Sequence, residues 1–444
     1  MTYSRRISKW RGRWLGGLLV LFFASFLGTI QAQGEPVEIV FSFGPDDSGS
    51  LQALIDRFNQ EYQGEIEVTW REMPRSTDEY LRQLQSDFLA DASDVDVIGA
   101  DVVWTAELVY NNQVRDITGR FNNAYNRGEF VEAALDSATY RNRIWGVPWF
   151  TDAGLLYYRA DLLEQNGFSE PPATWNELTE MANQITQDSD VQYGFVFQGD
   201  TYEGGVTNAL EFIWGARGRV LTGNISTAGA FGQNVTSPNV ININSADSAQ
   251  GLNVARSLIE DGVAPQEVAT FREEDAYEAF LAGDVVFMRN WPFVYGLIAD
   301  SDLSPEQVGV AQLPVVEEGN PTFSTLGGWN LMISADSQNV NEAWTFIQFA
   351  TDPEQQKLRA LEGGFLPTLQ PLYEDQEITS EVPVVSLGRD AVENARVRPV
   401  SPFYSAVSQR IAQTFNRVLR GEVEGQEAVQ NLQRELQTII RNSR

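Results

Sequence analysis

The 444-residue chain contains neither cysteine nor histidine, and only two lysines, Lys9 and Lys357. Without thiol or imidazole there is no disulfide, no thiolate nucleophile, no Cys/His zinc site and no Ser-His-Asp or Cys-His machinery. A lipid carried on an N-terminal cysteine is excluded for the same reason. Positive charge is scarce: 31 Lys+Arg face 61 Asp+Glu, a formal net charge of −30. A field of that sign repels phosphate backbones and anionic lipids, so no nucleic-acid partner is expected. Neither G-x-x-x-x-G-K-[ST] nor a strand followed by G-x-G-x-x-G occurs, which leaves nucleotide binding without support. No metal site, cofactor or catalytic set is expected.

What is present begins with an address. Arg5, Arg6, Lys9, Arg11 and Arg13 precede an apolar run from Leu15 to Ile30, followed by Ile30-Gln31-Ala32. Charged, apolar and small-residue regions in this order read as a secretory signal over residues 1–32, cleaved near Ala32. A retained anchor is the alternative, although the run falls short of the ~20 residues of a spanning helix. Arg5-Arg6 leaves Sec and twin-arginine export both open. Cleavage would leave 26 basic against 61 acidic residues, a net charge of −35. The mature chain is expected to be exported, periplasmic or extracellular, and monomeric.

With 43% hydrophobic residues the chain can bury cores of two or three domains' size. Val37 to Phe43 alternates as a strand does. From Ser50 the period changes, with Leu51, Leu54, Ile55, Phe58 and Tyr62 at helical spacing and Gly64 placed to end the helix. Ile66, Val68 and Trp70 alternate again, a second helix is predicted from Thr77, and Val95–Ile98 reads as a short buried strand. Thr174-Trp175-Asn176-Glu177 has the form of a capping box opening a helix. Tyr193–Phe197 reads as a strand, Ala343–Phe349 as a helix, and Ser405–Ile440 as helices. Thr222–Asn244, rich in Gly, Asn, Ser and Thr, reads as loops and an edge. Strand and helix in alternation imply an α/β fold with helices on both faces of a sheet. With no linker visible, two domains would have to be joined by several crossings.

The chemistry concentrates where aromatics interleave with carboxylates and glycines. The clusters are Asp101–Trp104, Trp145–Asp152, Tyr202-Glu203, Asn290–Tyr295 and Leu326–Asn330. Sugars need this combination, because their C–H faces lie on aromatic rings while their hydroxyls need fixed planar acceptors and donors. Trp175 and Trp344 fall in helical patterns and are assigned to packing. Asp101 follows a predicted strand, where ligand crevices of α/β sheets lie; the alternative is a helix N-cap. Asp152 lies in an apolar run where an unpartnered carboxylate is costly. Arg398, between Val397 and Pro399, is either a ligand donor or a surface ion pair.

Six segments, in order, carry a likeness. They are Asp96–Trp104, Val147–Arg159, Tyr202–Gly205, Arg289–Pro292, Leu326–Trp329 and Arg398-Pro399. Through them the chain resembles the extracellular solute-binding proteins of ABC sugar importers, most closely the trehalose/maltose-binding branch. The resemblance implies a two-lobed periplasmic-binding-protein fold, each lobe a mixed sheet flanked by helices, with the ligand cleft at the hinge. It implies lobes of 34–148 plus 313–350 and 149–312 plus 351–444, with crossings near Val147–Thr151, Val310–Pro314 and Ala350–Asp352. It also implies a substrate site made of Asp47, Asp101, Phe150, Asp152, Tyr202, Glu203, Trp291, Tyr295, Gly328, Trp329 and Arg398. The implied ligand is a small sugar or glycoside of the trehalose, maltose, sucrose or glucosylglycerol class, and the implied partner a membrane permease. A secreted glycosidase, or a carrier of polyamines or peptides, remains the alternative.

Overall fold

The computed structural model describes residues 35–90, 93–220 and 241–442. The expected signal segment 1–32 and most of the 222–244 stretch lie outside the described residues.

The first strands fall close to where alternation places them. They are β1 (Val37–Phe43), β2 (Ile66–Glu72) and β3 (Val97–Asp101). Two-residue strands β4 (Thr139–Tyr140) and β5 (Arg143–Ile144) form a small hairpin before β6 (Gly146–Ala153) and β7 (Leu155–Arg159). Then come β8 (Tyr193–Val196), β9 (Val285–Asn290), β10 (Val308–Ala311), β11 (Leu326–Ile333) and β12 (Leu366–Pro367). Six strands build one sheet in the order β12-β6-β11-β3-β1-β2, and four build another in the order β10-β7-β9-β8. In the first, β1 runs parallel to β2 and β3, while β11 is antiparallel to β3 and β6. In the second, only β8 and β9 are parallel. Two mixed sheets flanked by helices give a two-lobed α/β fold.

The strand expected at Val95–Ile98 is shifted to Val97–Asp101, because Gly99 and Ala100 continue the ladder with β11. Helix Ser50–Glu61 buries Leu51, Leu54, Ile55 and Phe58, the apolar face read from the spacing. At its start Asp46 accepts from Leu51 N at 2.6 Å and, in the preceding turn, from Ser48 N at 3.1 Å. The capping box of helix Trp175–Asp188 is present: Thr174 Oγ1 accepts from Glu177 N at 3.2 Å, and Glu177 accepts from Thr174 N at 3.1 Å. Trp175 and Trp344 are packing residues. Trp175 lies against Phe195 and Phe212, and Trp344 meets Tyr125 edge-on.

The chain passes from one sheet to the other through a single residue. β6 belongs to the six-stranded sheet, β7 to the four-stranded one, and only Gly154 separates them. A Cβ at Gly154 would stand 2.2 Å from Glu211 Oε1 and 2.5 Å from Arg289 Nη2. Those two side chains form a buried bidentate pair, at 2.8 and 2.6 Å, against the crossing backbone. The glycine is therefore a packing requirement of the passage between sheets. Among the described residues no helix is long and apolar enough to cross a membrane.

Candidate functional site

The six-stranded sheet brings distant segments together by register. Trp329 on β11 stands opposite Asp101 on β3 and Phe150 on β6, and Gly327 stands opposite Asp152. Gly328 makes this possible. Its φ of 116° suits glycine alone, and a Cβ there would meet Phe150 O at 2.5 Å. From the other sheet, β9 ends at Asn290 and delivers Trp291, while helix Glu203–Gly215 presents Tyr202 and Glu203 at its start. Between the two groups lies a cleft of about 480 Å³, within the ~300–1,000 Å³ usual for small-molecule sites. Asp47, Asp101, Phe150, Asp152, Tyr202, Glu203, Trp291, Gly328, Trp329 and Arg398 all line it.

Tyr295 does not line the cleft, and Phe293 does. After Pro292 the backbone enters the short helix Val294–Leu297. Tyr295, which the resemblance places beside Trp291, lies on that helix and outside the lining.

The three expected aspartates differ in surroundings. Asp101 Oδ1 accepts from Val103 N at 3.1 Å and faces Arg398 Nη2 at 3.2 Å. It does not cap the next helix, which starts at Thr105 after Trp104. Burial pushes Asp101 up to about 6, against the pull of Arg398 and with added repulsion from Glu203. Asp152 is buried and its Oδ1 has no hydrogen-bond partner. Burial and then Asp101 push it well above the usual carboxylate range, with Arg359 and Arg289 acting the other way. Asp47, at the edge, is held below the usual range by the hydrogen bonds of Arg75.

Arg398 is no surface ion pair. It is buried, with Nη1 donating to Glu203 Oε1 at 2.5 Å and Nη2 reaching Asp101 and, at 3.3 Å, the carbonyl of Leu326. Glu203 also accepts from Tyr404 OH at 2.5 Å and from Ser408. The arginine thus ties a strand end of one sheet to a helix start beside the other.

Glu273 and Phe365, unremarked in the sequence, complete the walls, and Arg289 and Arg359 stand behind them. Glu273 accepts from Tyr202 OH at 2.5 Å and from Trp291 Nε1 at 3.3 Å, fixing both rings. Arg289 lies 4.0 Å beneath the Trp291 ring. Arg359 is buried between Trp149 and Phe365, 4.2 Å from each ring centroid, and 3.8 Å from Asp46. None of its nitrogens has a hydrogen-bond partner, and burial lowers its pKa to about 10. Phe365 also lines the cleft and follows Gly363-Gly364, the same aromatic-beside-glycine pattern that marks Trp329. No comparable signal marks Glu273 or Arg359.

Asp78, beside the cleft wall at Glu203, is expected to give the fold a pH dependence. It opens helix Thr77–Leu89 and accepts from Glu203 N at 2.9 Å. Burial and then the charge of Glu203 raise it to about 7; Arg82 opposes this and Asp101 adds to it. A carboxyl raised on folding binds its proton more tightly in the folded chain. Its contribution is complete below about pH 4 and fades as pH rises through 7. Wild type is therefore expected to lose stability relative to Asp78→Asn between pH 5 and pH 8. Allowing for partial exposure, the loss is on the order of 1 kcal/mol in urea unfolding. Parallel curves would contradict the assignment.

Comparisons with known proteins converge on one family. The chain is 34% identical over 377 residues to a probable ABC transporter-binding protein of Deinococcus radiodurans, covering 83% of this chain and 85% of that one. It is 23% identical over 343 residues to a mannitol-binding protein of Pseudomonas aeruginosa, covering 69% of this chain and 71% of that one. Maltose-bound MalE3 of T. maritima superposes with a TM-score of 0.82 at 36% identity, covering 91% of this chain and all of that one. The model of the bacterial extracellular solute-binding proteins matches residues 44–357, through both sheets and most of the cleft wall. The chain belongs to that family of non-catalytic, extracytoplasmic binding proteins, which serve ABC importers.

Proposed function

We propose that the protein binds a disaccharide of the maltose and trehalose class between its lobes and delivers it to the permease of an ABC importer. The observation that carries this reading is the convergence of the Trp291 and Trp329 rings with the carboxylates of Asp101 and Asp152 in one cleft. Ring faces suit the C–H faces of a sugar, and ionised carboxylates suit its hydroxyls. The maltose-bound relative at 36% identity supports the same class. In this reading Asp152 and Asp101 accept from sugar hydroxyls. Tyr202, Phe150 and Trp329 wall the site, and Gly328 lets the backbone approach the ligand. Arg398 acts by holding Asp101 and Glu203 in place. The lobes are taken as 34–148 plus 313–350 and 149–312 plus 351–444, with the first crossing near Val147–Thr151, although β6 to Ala153 and β12 at Leu366–Pro367 pair in the six-stranded sheet. Ligand bound on one lobe favours closure of the other, and the closed form presents both lobes to the permease.

Trp291→Ala is expected to weaken sugar binding by about 1–3 kcal/mol through lost stacking. Unchanged affinity by calorimetry would count against the placement. A second reading, a cationic ligand, is favoured by the acid excess of the walls. Among the described residues, Asp46, Asp47, Asp101, Asp152, Glu203, Glu273, Glu274 and Asp275 line the cleft, against Arg75, Arg272 and Arg398. A thermal-shift screen against disaccharides, glycosylglycerols and polyamines separates the two, since a ligand of the folded state raises the melting temperature by mass action. Stabilisation by polyamines alone would overturn the sugar reading.

A further inference from the structure

The cleft has a mouth, and charged side chains from both lobes meet across it. Asp47 lies between β1 and helix Ser50–Glu61, and Arg75 between β2 and helix Thr77–Leu89, so both belong to the six-stranded side. Glu274 and Tyr277 lie on helix Glu273–Leu281, which packs on β9 of the four-stranded side. Arg75 grips Asp47 through both terminal nitrogens, at 2.7 and 2.9 Å. Its remaining nitrogen, Nε, reaches Glu274 at 2.7 Å. Tyr277 OH adds a bond to Asp47 Oδ2 at 3.3 Å. Arg75, Asp47 and Glu274 line the cleft, yet their side chains are 43%, 36% and 26% exposed. They therefore stand between the cavity and solvent.

We infer that Arg75 is a specificity-determining residue: with Asp47 and Glu274 it clasps the two lobes across the mouth and sets an upper limit on ligand length. The inference rests on the sugar reading above. A ligand contained in the cavity leaves the clasp made. A longer saccharide must part it, losing the charge-assisted Arg75–Glu274 contact and the Tyr277–Asp47 hydrogen bond, the two that cross from one side to the other. Because these groups are partly exposed, salt weakens the clasp, whereas it leaves buried stacking contacts alone.

The test measures dissociation constants for maltose, maltotriose and maltotetraose on wild type, Arg75→Gln and Glu274→Gln. The expected result is a preference for maltose over maltotetraose that falls at least tenfold in both variants. In wild type, but not in Arg75→Gln, that preference should also fall as sodium chloride is raised. Equal weakening for all three sugars would make Arg75 an ordinary ligand donor and overturn the proposal. If wild type binds none of these sugars, the functional reading fails, and small-angle scattering of the ligand-free chain decides on the clasp alone. A larger radius of gyration in Arg75→Gln than in wild type supports it, and equal radii at low salt overturn it.

Discussion

Arg398→Met is expected to cost the folded chain about 3–5 kcal/mol and to abolish ligand binding with it. Removing one member of a buried ionic set leaves the others charged and uncompensated, and that desolvation is the larger part of the loss. Here the stranded groups are Asp101 and Glu203, both buried, already repelling one another, and drawn from different lobes. Glu203 would retain Tyr404 and Ser408, whereas Asp101 would keep only the backbone N–H of Val103. Arg398→Lys restores charge without the two-pronged geometry, so an intermediate loss is expected. Urea unfolding of the three proteins checks the series. A methionine variant within 1 kcal/mol of wild type would mean that the bridge does not hold the lobes together.

Asp152→Asn is expected to do the opposite to the free protein while weakening sugar binding about 10- to 100-fold, the effect of losing hydrogen bonds to a charged group. The carboxylate is buried, one of its oxygens has no donor, and burial with Asp101 pushes it well above the usual range. Folded-state pKa above unfolded means that this group's contribution is complete below about pH 4 and fades as pH rises, so at neutral pH it opposes folding. A neutral amide of the same shape removes that penalty, and the ligand-free variant should melt at or above the wild-type temperature. The site would then keep a destabilising acceptor because the ligand needs it. A variant that melts lower yet binds as tightly as wild type would contradict both halves of the argument. Melting curves and calorimetric titration with maltose at one pH distinguish the cases.

Much of the scaffold was legible because its signals are local. Spacing at Leu51, Leu54, Ile55 and Phe58 marks the first helix, and Thr174 with Glu177 marks another, each depending on residues a few positions apart. Asp101, Asp152, Trp291 and Trp329 stood out as candidates because aromatics interleave with carboxylates and glycines there, and the structure brings all four to one cleft. What escaped was long-range. Arg289 and Glu211 are 78 positions apart and meet behind the crossing at Gly154. Glu273, which orients two ring systems at once, sits in an acidic helix start that is indistinguishable in sequence from solvated surface. Arg398 was visible, but its role depends on two partners 195 and 297 positions away. Asp46 and Asp47 show the limit at its smallest scale. Two adjacent aspartates divide the labour, one capping a helix and the other facing Arg75 at the mouth.

A crystal structure of the protein, grown with whichever sugar gives the largest thermal shift, puts the central proposition to the most direct test. The account predicts a pyranose ring lying flat against Trp291, with hydroxyls donating to Asp152 and Asp101 and the two lobes closed over it. Density for the sugar on any other surface, with these side chains unchanged and untouched, would contradict it.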